Sequence, residues 1–379
     1  MSSVGATVCR ALGRLGLLVF GLAAVLMPAE IVLRLRGYDA VQFQWLGMVN
    51  PQMLELTGNP DLPYVLMPGA RGMAWNTEVT INASGARDRE FIEDKGGRFR
   101  VAAVGDSITF GMDIADPSRL YPAQLERLLQ GDHSSRPTEV FNFGVTGYDA
   151  VNDVEHLRLR GLRFRPDLVI WQLCVNDIGT ASTALQWVNA SARLRNPVFQ
   201  LRVARFVLSR ALRLMAERQA DQDAELDRFT KDHRARILSI GDDVELRQQM
   251  EKVATSVSRP TLRFLPWWKD APRVGFLEYA FSKMKALQQQ QGFDVAVFVV
   301  PLLENDDSDA SRAVNEIVRH ESQKFGFRFV DVFEPFERRG LERLRNLRDD
   351  DIHPSPEGHA IIARALHDAL RVFPQRARP

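Results

Sequence analysis

The chain has 379 residues, 45% hydrophobic and 26% charged, with a formal net charge of +1. That balance is too apolar for a disordered chain and gives no basic field for nucleic acid. Two cysteines, Cys9 and Cys174, rule out a disulfide framework; no Cys/His cluster has zinc spacing, and neither G-x-x-x-x-G-K-[ST] nor G-x-G-x-x-G occurs.

The first predicted element is an export or anchoring segment. Arg10 and Arg14 precede an uncharged run from Leu15 to Ala29; Glu30, Ile31–Leu33, Arg34 and Arg36 follow. The 19 residues Leu15–Leu33 would extend about 28 Å as a helix, close to the thickness of a bilayer core. Met27-Pro28-Ala29 is a poor cleavage site. Residues 1–36 therefore read as an uncleaved signal anchor, with a cleaved signal peptide as the alternative. Positive-inside logic keeps Arg10 and Arg14 cytoplasmic and exports the rest to the periplasm or another extracytoplasmic space. Residues 1–36 carry +3, leaving a nearly neutral body of −2. Residues 37–96 follow as a small strand-rich preamble.

From residue 97 to 379 the pattern is one α/β domain. Strands are predicted at Arg98–Val104, Glu139–Phe143, Asp167–Cys174, Phe293–Val300 and Phe327–Phe333. Helices are predicted at Tyr121–Gln130, Asp149–Arg160, about 275–291, Ser308–Phe325 and Ser355–Val372. Continuous apolar strands alternating with amphipathic helices imply a parallel sheet covered on both faces, wound by right-handed crossovers. An insertion over about 180–272 separates the third and fourth strands. Its first part holds seven arginines between Arg193 and Arg218 with only Glu217 opposing. Leu201, Ala204, Leu208, Leu212 and Met215 share one helical face there, opposite Arg202, Arg205, Arg210 and Arg213. A cap helix with a solvated basic face accounts for this; contact with anionic phospholipid or an acidic glycan is the sharper alternative.

Chemistry collects at the carboxyl ends of the strands. The first ends in Gly105-Asp106-Ser107, a serine between strand and helix with its amide facing the cleft; an N-cap serine is the bland alternative. Gly105 permits a tight turn and close approach of substrate. Near the C-terminus, His353 follows Asp350 by three residues. The carboxylate can hold Nδ1 and leave Nε2 to take a serine proton, with Asp349 and Asp351 as neighbours that could be confused with it. His359, inside the closing helix, reads as structural. Gly147, after the second strand, and Asn176, after the third, could join the Ser107 amide in stabilising an oxyanion.

Ser107, Gly147, Asn176 and His353 match in order the four blocks of the SGNH/GDSL hydrolases, a family this chain resembles over about residues 98–375. The resemblance implies a flavodoxin-like three-layer α/β/α sandwich with a parallel sheet. It also implies a catalytic triad of Ser107, Asp350 and His353 and an oxyanion hole of Ser107, Gly147 and Asn176. The third block usually reads G-x-N-D; here Cys174 replaces the glycine, which would narrow the cleft. Cys174 reads as a small buried residue and Asp177 as a structural tie for its loop. Residues Ile81–Phe91 resemble a segment that precedes the domain in membrane-anchored bacterial members, with a structural, tethering role. The expected activity is cleavage of carboxylic esters, O-acyl or O-acetyl, on a small molecule or an envelope glycan or lipid. The alternatives are an O-acyltransferase on the same acyl-serine and a non-catalytic envelope scaffold or carbohydrate-binding protein. No metal or organic cofactor is implied and no nucleic-acid partner is expected; membrane contact is expected through the N-terminal helix.

Overall fold

The computed structural model describes residues 3–35, 53–74, 77–131, 136–178, 201–203, 207, 220–256, 264–305, 308–348 and 350–371. The N-terminal apolar run lies in helix α1, Ser3–Leu35, which continues through Pro28. Leu17, Phe20, Val25, Met27 and Ile31 are exposed along it. Among the described residues no helix is long and apolar enough to cross a membrane; the side chains of Leu15, Leu18 and Val19 in the run lie outside that description.

The preamble is strand-rich, as expected. Strands β1 (Leu54–Asn59) and β2 (Leu62–Leu66) form one antiparallel hairpin, and β3 (Arg71–Ala74) and β4 (Thr77–Thr80) another. Its buried side chains do not form a private core. Leu54, Leu62, Tyr64, Leu66, Val79 and Ile81 pack with Phe110, Val145 and Tyr148 of the α/β domain.

Chain order then gives β5 (Phe99–Gly105), α2 (Ser107–Phe110), α3 (Tyr121–Gly131), β6 (Thr138–Gly144), α4 (Ala150–His156) and β7 (Leu168–Leu173). Three helices of the insertion follow: α5 (Ala220–Asp232), α6 (Arg234–Asp242) and α7 (Val244–Ser256). The domain closes with α8 (Ala271–Gln291), β8 (Asp294–Val299), α9 (Ser308–Lys324), β9 (Arg328–Phe329), α10 (Phe333–Arg339) and α11 (Pro356–Arg371). Five strands pair in the order β6-β5-β7-β8-β9, every pairing parallel. This is the strand order of flavodoxin-like sheets. All six residues of β7 are buried, and all but Gln172 are apolar, which is why its sequence does not alternate. Helix α3 packs beside α11, and α4 beside α8, the pairing that right-handed crossovers give for this order.

Two elements differ from the sequence expectation. The fifth strand, expected over seven residues, is reduced to Arg328–Phe329 with one further bond, Val330 N–H to Val297 O. It is an edge strand with a partner on one side only, and Asp331 accepts the N–H groups of Phe333 and Glu334 to start α10, which the sequence reading missed. The helix after β6 ends at His156 and runs into a π-turn, Leu157–Gly161. The stretch Arg193–Arg218 and its basic face lie outside the described residues, apart from 201–203 and 207. There, Val203 N–H donates to Glu30 Oε2 at 2.9 Å, joining the insertion to α1.

Candidate active site

The site begins where β5 stops. Asp106 caps α2, its Oδ1 accepting Ile108 N–H at 2.9 Å, so Ser107 is the first helical residue and not the N-cap. A Cβ at Gly105 would sit 2.4 Å from Gln172 Oε1 and 2.5 Å from Thr109 Oγ1. The glycine thus lets β5, β7 and α2 close on one another; that packing, rather than approach of substrate, explains it. Gln172 Oε1 accepts both Thr109 N–H and Thr109 Oγ1–H, tying the start of α2 to the central strand.

His353 sits in the loop before α11 and reaches back across the sheet ends. Its Nε2 lies 2.8 Å from Ser107 Oγ and its Nδ1 2.7 Å from Asp350 Oδ2. Asp350 Oδ1 accepts the N–H groups of Ile352 and His353, so the carboxylate is fixed by its own loop. Of the neighbouring aspartates, Asp351 makes no bond to the imidazole and Asp349 lies outside the described residues. Burial pushes the His353 pKa down, but the hydrogen bond and charge of Asp350, with Asp106 and Asp113 behind it, prevail and hold it above its usual 6.5. Burial pushes Asp350 up, and the opposing bonds and charge of His353 leave it below the usual carboxylate value.

Gly147 and Asn176 make no hydrogen bond to these three residues. They stand on the loops after β6 and β7, the two strands flanking β5. Val145 N–H donates to Gly105 O at 3.0 Å, which carries the β5–β6 pairing into the start of the loop that bears Gly147. Gly147 holds φ at +77°, a conformation that favours glycine. In the β7 loop, Cys174 and Asp177 lock each other: Cys174 N–H donates to Asp177 Oδ2 at 2.7 Å, and Asp177 N–H to Cys174 O at 3.2 Å. Burial raises the Cys174 thiol well above its usual pKa, so it remains a donor, and Sγ bonds to Asn176 Oδ1. His359 is buried at the start of α11, where Nδ1 accepts Tyr121 N–H at 3.2 Å. Burial takes its pKa down to about 3, and it makes no bond to Ser107 or Asp350.

Among the described residues one group, Asp106, Cys174 and Asp177, brings ligand atoms within 4.8 Å of one another. Both Asp106 oxygens, one Asp177 oxygen and the thiol are already engaged in the bonds of the site, Asp106 Oδ2 to Ser107 Oγ at 3.2 Å. The group therefore reads as the frame of the two loops.

A family model described as the GDSL-like Lipase/Acylhydrolase family matches residues 103–361, more than half of the chain. The chain belongs to this family. It is accordingly a hydrolase of ester bonds. No curated protein matches the sequence. Solved structures similar to it include Axe2, an acetylxylan esterase from Geobacillus stearothermophilus, at 16% identity and a TM-score of 0.40, covering 75% of this chain and 100% of that one. LAE5, an α/β hydrolase enzyme from the metagenome of Lake Arreo, Spain, is similar at 15% identity and a TM-score of 0.39, covering 72% and 94%. A GDSL-like lipase from Parabacteroides merdae is similar at 10% identity and a TM-score of 0.39, covering 73% and 96%.

The family match begins at residue 103, yet part of the site's support comes from before it. Arg87 is buried, with its guanidinium 5.1 Å from the Phe110 ring. It donates from Nη1 to Phe110 O at 3.2 Å and Gly111 O at 2.6 Å, and from Nη2 to Ile114 O. The first two are the carbonyls at the end of α2 and the third lies in the turn that follows, so the segment Ile81–Phe91 does more than tether: it holds the far end of the GDSL helix. Sequence reasoning missed Arg87 because a lone arginine in a loop carries no pattern that separates burial from exposure.

Proposed function

We propose that this GDSL-family hydrolase cleaves carboxylic esters through an acyl-serine, with Ser107 as nucleophile. The observation that carries the reading is the Ser107–His353–Asp350 chain of bonds at 2.8 and 2.7 Å. His353 Nε2 takes the Ser107 proton as Oγ attacks the ester carbonyl. The tetrahedral oxyanion takes hydrogen bonds from the Ser107 and Gly147 N–H groups and the Asn176 NH₂. As it collapses, the alcohol leaves with the proton held on His353 and the acyl group stays on Ser107. Water then attacks the acyl-serine, giving its proton to His353; as this second tetrahedral species collapses the Ser107 Oγ–carbon bond breaks, His353 returns the proton to Oγ, and the carboxylic acid departs. Asp350 holds the imidazole in the tautomer that leaves Nε2 free.

The substrate class we propose is an O-acyl, in particular O-acetyl, ester of an envelope polysaccharide or lipid, met by a body held at a membrane by α1. Support for the anchor is the Leu15–Leu33 run after Arg10 and Arg14, and the exposed apolar side chains along the helix.

The test is labelling by a fluorophosphonate followed by peptide mapping, alongside release of acetate from acetylated envelope glycan. The expected result is one adduct, on Ser107, lost in Ser107→Ala together with ester turnover. Undiminished labelling of Ser107→Ala overturns the nucleophile. Acyl transfer to an added glycan with no free acid formed overturns hydrolysis in favour of transfer.

A further inference from the structure

The oxyanion loop after β6 is gripped from the preamble by a pair of tyrosines. Tyr64, on β2, donates its phenol to Thr146 O at 2.7 Å. Tyr148 returns the contact, donating its phenol to Tyr64 O at 2.6 Å, with the two rings 5.3 Å apart. Both phenols are fully buried, and burial, with the charges of Asp149, Asp106 and Asp153 added for Tyr64, raises each well above its ordinary pKa. Tyr64 is therefore a permanent donor.

The carbonyl that Tyr64 holds belongs to the same peptide group as the Gly147 N–H. That peptide is trans, so its C=O and N–H point in opposite directions. One end is bonded into the preamble; at the other, the Gly147 N–H has no partner among the described residues, on an exposed residue beside the sheet end. At φ +77° a glycine turn can swing its peptide plane at little steric cost, so something must choose the orientation. Within this loop the Val145 N–H to Gly105 O and Tyr148 N–H to Val145 O bonds fix the neighbouring peptides, and the Tyr64 phenol fixes this one. A hydrogen bond to the carbonyl also polarises the amide and makes its N–H a better donor.

We infer that Tyr64 is a positioning residue for the oxyanion hole, aiming the Gly147 N–H at the reacting carbonyl from outside the segment the family model covers. The inference rests on the acyl-serine reading. It assigns the preamble a part in turnover: the hairpin sets the angle of one oxyanion donor.

The experiment is Tyr64→Phe, which removes one hydroxyl and keeps the ring against Tyr148. Steady-state cleavage of p-nitrophenyl acetate and inhibition by a boronic acid, which forms a tetrahedral adduct on the serine, are measured together. The expected result is a kcat about 3- to 10-fold lower with KM unchanged, the size of one lost neutral hydrogen bond. Boronate affinity should weaken by the same factor. Asn59→Ala, which removes the preamble's 2.7 Å bond to Glu155 away from this loop, should lower the melting temperature and leave both readouts in place. The inference is overturned if Tyr64→Phe keeps wild-type kcat, if boronate affinity does not follow kcat, or if Asn59→Ala loses as much. A wild type that neither turns over ester nor binds boronate overturns the parent reading and takes the inference with it; an active wild type with an unaffected Tyr64→Phe overturns the inference alone.

Discussion

At the scale of single residues the His353–Asp350 pair couples activity and stability in opposite directions. The folded protein holds His353 above 6.5 and Asp350 below its usual value. For His353 the raised value means that its contribution to stability is full below pH 6.5 and fades as pH rises through the folded pKa. For Asp350 the lowered value means a contribution present above the unfolded carboxyl pKa and lost as pH falls through the folded one. On the proposed mechanism turnover needs the neutral imidazole, so it should grow over the range in which the histidine's share of stability fades. The expected kcat/KM profile therefore has an acid limb with an apparent pKa above 6.5. In Asp350→Asn that limb should move to lower pH, because burial is then opposed only by the weaker charges of Asp106 and Asp113, and the plateau should fall by up to about 10⁴-fold, as expected when an orienting carboxylate is lost. A pH-rate series on both proteins checks this; an unmoved limb would show that Asp350 does not set the histidine. The D-x-x-H spacing made this pair legible in the sequence, since three residues along a turn bring the carboxylate to Nδ1. Cys174 was legible as a departure from G-x-N-D and as a small buried residue, which it is. Its bond to Asn176 depends on side-chain rotamers, which spacing does not record.

Elements were legible where burial makes sequence monotonous. Asp167–Cys174 and Phe293–Val300 stand out because both sheet faces are covered, and the strands observed there differ by a single residue at each end. The edge strand was over-read because Phe327–Phe333 keeps an alternating apolar pattern whose last residues serve α10 instead. Arg100 shows the converse: a charge inside the fully buried part of β5, tolerated because its guanidinium donates to Glu139 and to the carbonyls of Ile92, Glu93, Asp94 and Phe164. Arg87 is the same device at the end of α2, and burial pulls its pKa down to about 10, which still leaves it charged at neutrality. Arg87→Met should strip the buried Phe110 and Ile114 carbonyls of this donor, leave Gly111 O with only its bond from Ile114 N–H, and cost on the order of 3 kcal/mol. Urea unfolding followed by tryptophan fluorescence measures it. A midpoint within error of wild type would mean the α2 terminus is held by other contacts.

Across the whole molecule, three parts of the chain would supply the proposed site: the preamble through Tyr64 and Arg87, the strand ends through Ser107, Gly147 and Asn176, and the closing loop through Asp350 and His353. Helix α1 contributes no residue to it. Its described contact with the body is Glu30, which accepts from Val203 N–H and pairs with Arg34 at 2.8 Å. Leu17, Phe20, Leu22, Val25, Met27, Ile31, Val32 and Leu35 remain exposed, an apolar surface that water penalises by about 25 cal/mol for each Å² left uncovered. A bilayer would relieve that penalty, with Arg10 and Arg14 on the cytoplasmic side and Glu30 near the opposite interface. Two outcomes follow from this division of labour. The full chain should stay with membranes through carbonate and high-salt washes, which remove attachments made by screened charge alone. Deleting residues 1–36 should release a soluble protein whose kcat and KM match the full chain in detergent, since every residue of the proposed site lies beyond residue 60. Washing off, or a mature N-terminus near Glu30 with free release, would remove the anchor. A deletion variant that is folded but slow would show instead that the grip of Glu30 on the insertion reaches the active site.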